Sequence, residues 1–137
     1  MTRKFFDTNI LVYADDADAG PKRARAQQLI ADALMTGNGV ISTQVLQEYF
    51  VVTTKKLGLS AEAAHRRVEV FSALDVVSID VDDVLEAIKL HRLHGLSFWD
   101  ALIVRAAKAA ACGQLLSEDL QTGRSFEGVE VVNPFAG

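Results

Sequence analysis

Short apolar runs punctuate the chain, and longer segments with helical spacing separate them. Residues 4–6, 40–42, 76–79, 115–117 and 129–132 lack clear alternation of apolar and polar positions, the pattern of strands buried on both faces. A first helix is expected over 21–34, opening on Pro21, which a first turn tolerates, with Gly37 just beyond its end. Over 43–56, Val45, Tyr49 and Val52 recur at helical spacing, and Lys55 and Lys56 suit the negative end of the helix dipole. Ser60 caps a third helix, 61–74, striped by Ala64, Val68 and Phe71. Asp80 caps a fourth that reaches His94 and stops at Gly95, and an alanine-rich fifth covers 99–111. Strands alternating with helices predict an α/β fold whose mostly parallel sheet is linked by crossover helices.

The length of 137 residues suits one domain spanning 1–137, large enough for a core without disulfides. Half the residues are apolar, 23% are charged and two are proline, a composition that excludes a disordered tail or a collagen-like repeat. The lone cysteine, Cys112, fits a reducing compartment. Asp7 and Asn9 interrupt the apolar amino-terminal stretch, which is therefore not a signal peptide, and no window is apolar enough to cross a membrane. A cytoplasmic location is expected. The net charge of −4 argues against nucleic-acid binding through a globally positive surface.

Ligand crevices of open α/β sheets lie beyond the carboxyl ends of the strands, so acids near that edge carry the most information. Asp7 directly follows the first strand, Asp119 lies just after the fourth, and Glu48 and Asp100 occupy the first halves of helices entered from the same edge. A lone Asp7 could be a turn acid, but Asp-Thr-Asn sits between apolar neighbours, where an unpaired carboxylate is expensive. Glu48 borders the apolar stripe of its helix and can face either solvent or the crevice. Asp100 fits the Ser-x-x-acid capping box begun by Ser97, yet it also falls within the apolar arc of its helix. Glu118 and Asp119 are adjacent and only one need point inward; Asp119 is preferred. Asp15, Asp16, Asp18, Asp82 and Asp83 read as solvated charges.

Four gathered carboxylates cannot all ionise stably near neutral pH without cations, and an all-oxygen set suits magnesium or manganese. Two such ions about 4 Å apart support in-line hydrolysis of a phosphodiester. Lys22, Arg23, Arg25, Lys55, Lys56, Arg66 and Arg67 could position a nucleic-acid backbone, although solvated helix faces account for most of them.

The segments FFDTNILVYA, ISTQVLQEY, LSFWDALIVRAA, LLSEDLQ and GVEVVNPF resemble, in this order and spacing, the PIN-domain nucleases, and among them the VapC-type toxins of toxin–antitoxin pairs. The resemblance covers nearly the whole chain. It implies a PIN-like three-layer fold with a five-stranded, mostly parallel sheet between helices, and an endoribonuclease using Mg2+ or Mn2+. It also implies that Asp7, Glu48, Asp100 and Asp119 form the catalytic and metal-binding set, with Asn9 and Ser117 orienting the first and last acids. The implied partners are a transfer, ribosomal or messenger RNA substrate, a cognate antitoxin and a second copy of the chain.

A receiver domain of the response-regulator type is the main competing reading. It calls for adjacent acids after the first strand, whereas Asp7 stands alone there, and Asp80 would have to accept the phosphoryl group. A PIN-like scaffold that only binds is the other alternative, against which the presence of all four acids weighs. No phosphate-cradling glycine motif is present. His91 and His94 suit a helix carboxyl end without any metal role.

Overall fold

Strands of two to four residues make few hydrogen bonds each, so the sheet depends on apolar side chains directed to both faces. A computed structural model describes residues 2–136, and the ends of the expected 1–137 unit, Met1 and Gly137, lie outside the described residues. The strands are β1 (Lys4–Phe6), β2 (Gly39–Ser42), β3 (Asp75–Val77), β4 (Gln114–Leu116), β5 (Ser125–Phe126) and β6 (Val129–Val132). They run in the order β3-β2-β1-β4-β6-β5, with every neighbouring pair parallel except β5 and β6.

The helices are α1 (Thr8–Ala14), α2 (Pro21–Thr36), α3 (Thr43–Lys55), α4 (Ala61–Phe71), α5 (Val81–His94) and α6 (Phe98–Ala109). Right-handed crossovers put α1 to α4 on one face and α5 with α6 on the other. Accordingly α1 packs on α2 and α3, α3 on α4, and α6 lies against α5, β2, β4 and β6. Phe5, Phe6, Val40, Ile41, Leu115 and Leu116 fill the centre from adjacent strands. Cutting one such phenylalanine to alanine costs about 3–5 kcal/mol. Buried Ala101, Ala106 and Ala107 let α6 approach closely. Gly39 does the same for α2, because a Cβ there would stand 2.6 Å from Ala33 Cβ and 2.9 Å from Leu74 Cδ2.

Six strands replace the five expected. The extra one, β5, is two residues long and is formed by a tight hairpin whose turn residues Glu127 and Gly128 take φ values of 51° and 91°. So short a strand has no hydrophobic period to read. The second correction is α1, absent from the sequence-based expectation because Ile10, Leu11 and Val12 form a continuous apolar run within only seven helical residues. Its start signal is chemical: Asp7 is the amino-terminal cap, accepting from the Thr8 backbone N–H at 2.8 Å. The helix expected over 61–74, α4, also ends earlier, at Phe71, since the following residues turn into β3.

Two acids expected to be solvated are structural. Asp83 is buried, accepts from Arg105 Nε at 2.9 Å and closes a reciprocal capping box with Asp80. Asp15 accepts from Tyr49 Oη at 2.5 Å and Arg67 Nε at 3.0 Å, joining α1 to α3 and α4. Arg67 is thereby committed within the fold. Asp80, the acid a receiver would phosphorylate, serves as the cap of α5.

Candidate active site

The chain builds β1, β2 and β3 outward in one direction and then returns to place β4 on the other side of β1. The topological switch point therefore lies between β1 and β4, where ligands of open α/β sheets bind. Asp7 leaves the end of β1 and Ser117 leaves the end of β4, and the Asp7 N–H donates to the Leu116 carbonyl at 3.1 Å. A cleft of about 130 Å³ opens there, lined by Asp7, Glu48, Asp100 and Asp119 together with Thr8, Asn9 and Gln44. The four acids singled out in the sequence thus share one cleft.

Asp7 is the most enclosed of them, at 7% exposure. Its Oδ1 caps α1, and its Oδ2 accepts from Ser117 Oγ at 2.7 Å. Burial pushes its carboxyl up to about 6; the Ser117 and Thr8 bonds partly oppose this, while the charges of Asp119 and Asp100 add to it. Asp119 is also raised, first by desolvation and then by Asp100 and Glu118. The Asn9 amide donates to Asp119 Oδ2 at 3.0 Å, and Ser117 Oγ accepts from the Asp119 N–H at 3.1 Å.

Glu48 sits half-buried on α3, and both of its side-chain bonds fall on Oε1, from Thr8 Oγ1 at 2.9 Å and Gln44 Nε2 at 3.3 Å. On α6 the Ser97 hydroxyl accepts from the Asp100 N–H at 3.1 Å, while the Asp100 carboxylate lines the cleft. Glu118 turns away from it, bonded to Tyr13 Oη and, at 2.9 Å, to Lys22 Nζ. Burial works against its charge, but those two donors hold its carboxyl below the usual range. Lys22 is thus occupied by Glu118.

Three cleft residues carried no role in the sequence reading: Thr8, Gln44 and Trp99. The signal for Gln44 was its i, i+4 relation to Glu48, which puts both on one face of α3. Its Nε2 also donates to the Trp99 carbonyl at 3.3 Å. Its Oε1 is buried without a hydrogen-bond partner among the described residues. His91 and His94 lie at the end of α5 and are not among the cleft residues.

Among the described residues, no three acidic, histidine or cysteine side chains converge tightly enough to hold a metal ion as they lie. The acids line the walls of the cleft instead. Their chemistry nonetheless fits a hard divalent cation: the donors are all oxygen, and the buried Asp7 carries a charge its surroundings penalise. A cavity of about 390 Å³ at the opposite strand ends, lined by Lys4, Gly39 and Gln114, has Asp32 as its one carboxylate among the described residues.

No curated protein matches the chain by sequence. Solved structures do match its fold. A toxin–antitoxin complex from Klebsiella pneumoniae aligns at 23% identity and TM-score 0.73, covering 96% of this chain and 98% of that one. VapC20 of Mycobacterium tuberculosis, a toxin that cleaves the sarcin-ricin loop, aligns at 19% identity and TM-score 0.70, covering 85% and 91%. DNA-bound VapBC from Salmonella typhimurium aligns at 19% identity and TM-score 0.67, covering 96% and 97%. Residues 4–124 match the family model of the PIN domain, so the chain that gathers these four acids at its switch point belongs to the PIN-domain family.

Proposed function

We propose that the protein is an endoribonuclease dependent on Mg2+ or Mn2+ and acts as the toxin of a toxin–antitoxin pair. The observation that carries this reading is the enclosure of Asp7 at the sheet switch point with Glu48, Asp100 and Asp119 on the same cleft. Within a family of nucleases, such a set is most simply a cation site. Asp7, Glu48, Asp100 and Asp119 are the side chains that would hold the metal. Once bound, a divalent ion supplies Lewis acidity, making water nucleophilic near neutral pH and offsetting charge on the phosphate.

The remaining work falls to the protein. Ser117 and the Thr8 N–H hold Asp7 in one orientation, Asn9 does so for Asp119, and Thr8 with Gln44 does so for Glu48. Preorganised donors of this kind avoid reorganisation during the reaction. Hydrolysis forms a bond from water oxygen to phosphorus, breaks the bond from phosphorus to the leaving ribose oxygen, and passes the water proton to a cleft carboxylate. Since VapC20 cleaves the sarcin-ricin loop, ribosomal RNA is the first substrate to try. The fold's occurrence in toxin–antitoxin complexes motivates the antitoxin as partner, and a second copy of the chain completes the assembly we infer.

The test is cleavage of structured RNA by purified protein. Magnesium or manganese should support cutting, and chelator, Asp7→Asn or Asp100→Asn should each abolish it. Cutting that survives chelation and both substitutions would overturn the proposal.

A further inference from the structure

We propose that Trp99 and the recess beside it form a stacking site for one unpaired nucleobase adjoining the scissile phosphate. This rests on the ribonuclease reading and narrows its substrate to RNA with an exposed or flipped base. Trp99 is the second residue of α6, immediately before Asp100, and is 61% exposed. Its ring contact is edge-to-face with Phe98, centroids 5.1 Å apart, so the indole is not sandwiched within the protein. Beside it lies a recess of about 400 Å³ lined by Gln44, Gln47, Glu48, Val51, Val52 and Trp99. Gln44, Glu48, Val52 and Trp99 line the acid cleft as well, so recess and cleft share a wall.

The chemistry of that recess matches a base better than an aliphatic side chain. The indole, Val51 and Val52 offer apolar contact to a flat ring, and Gln44 and Gln47 add polar groups to the same lining. Gln44 is 5% exposed, and its amide orientation is fixed because Nε2 faces two acceptors, Glu48 Oε1 and the Trp99 carbonyl. Reversing the amide would set oxygen against oxygen at both. Its Oε1 therefore remains a buried acceptor with no partner among the described residues. A base is also neutral, so the charge of the neighbouring acids does not repel it. Bases paired in a helix have both faces covered, which restricts the occupant to loops, bulges or flipped nucleotides.

The chain has one tryptophan, so its emission reports on Trp99 alone. With calcium in place of magnesium to suppress cutting, the full chain is titrated with a short single-stranded RNA, the same strand in a perfect duplex, and the same strand with abasic sites. Quenching is expected with the unpaired strand and not with the other two. Trp99→Ala should weaken binding of a labelled strand about tenfold, and Trp99→Phe should restore most of it. Equal quenching by all three probes, or unchanged affinity in Trp99→Ala, overturns the proposal, as does quenching by an apolar peptide alone. RNA that is bound and cut while Trp99 emission stays constant sinks only this inference. Absence of RNA binding under any condition sinks it together with the ribonuclease reading.

Discussion

The Ser117 hydroxyl donates to Asp7 Oδ2 at 2.7 Å although the two residues are 110 positions apart in the chain. The arrangement is crossed: Ser117, next to the last acidic pair, orients the first acid, and Asn9, next to the first acid, orients Asp119. Each half of the site is thus fixed by the other strand end. Ser117→Ala leaves a buried carboxylate one donor short, which costs about 1–3 kcal/mol. It also removes an interaction that lowers the Asp7 pKa, so the acidic limb of the activity profile should move to higher pH. Urea midpoints and pH–rate profiles of the variant test both effects; an unchanged midpoint would mean the bond is not formed in solution.

Asp7 should destabilise the metal-free protein at neutral pH. Its folded pKa, about 6, exceeds the ordinary value of 3.8, so the folded state binds the proton more tightly than the unfolded state. That contribution is fully present below about pH 4 and is lost as pH rises through 6. A shift of this size amounts to on the order of 2–3 kcal/mol. Asp7→Asn should therefore abolish cleavage yet raise the neutral-pH melting temperature of the metal-free protein and flatten its slope between pH 4 and 6. The amide oxygen can still cap Thr8. A lower melting temperature for Asp7→Asn at pH 7 would contradict this account.

Adjacent Glu118 and Asp119 should behave differently. Glu118 is bound to Tyr13 and Lys22, a partly exposed ion pair worth about 1 kcal/mol or less, so Glu118→Gln should retain cleavage within a few-fold. Asp119→Asn should lose about 100-fold or more, since partners one shell further out already cost ten- to hundredfold in metal sites. Initial rates of the two variants on one RNA decide the matter, and equal losses would remove the distinction.

What the sequence disclosed depended on how far the relevant interactions reach. Strand ends and helix caps are local, so Asp7, Ser60, Asp80 and Ser97 were legible as boundary residues, and the carboxyl-edge rule brought the four acids together. The strand β5 was not legible, because two residues have no period and the hairpin positions them. Asp83 and Asp15 were misjudged because their partners, Arg105 and Arg67, lie 22 and 52 positions away. Gln44 escaped notice for the same reason: its importance lies in joining Glu48 on α3 to the Trp99 backbone on α6. Neutral side chains that link elements leave no charge pattern.

Metal binding should appear as stabilisation independent of any RNA. A ligand that binds only the folded state adds RT ln(1 + [L]/Kd), about 2.7 kcal/mol at 100 times Kd. Magnesium or manganese should thus raise the melting temperature in a concentration-dependent way, and the gain should be larger at pH 7 than at pH 5, where Asp7 is mostly protonated. Below pH 6 the ion must displace a proton from Asp7, so apparent affinity falls with acidity. Asp7→Asn and Asp119→Asn should each remove most of the shift, and Glu118→Gln should leave it intact because that side chain faces Tyr13 and Lys22. Sodium at matched ionic strength controls for screening. If magnesium and manganese leave the wild-type melting temperature unchanged at millimolar concentrations, the four acids of the cleft do not form a cation site.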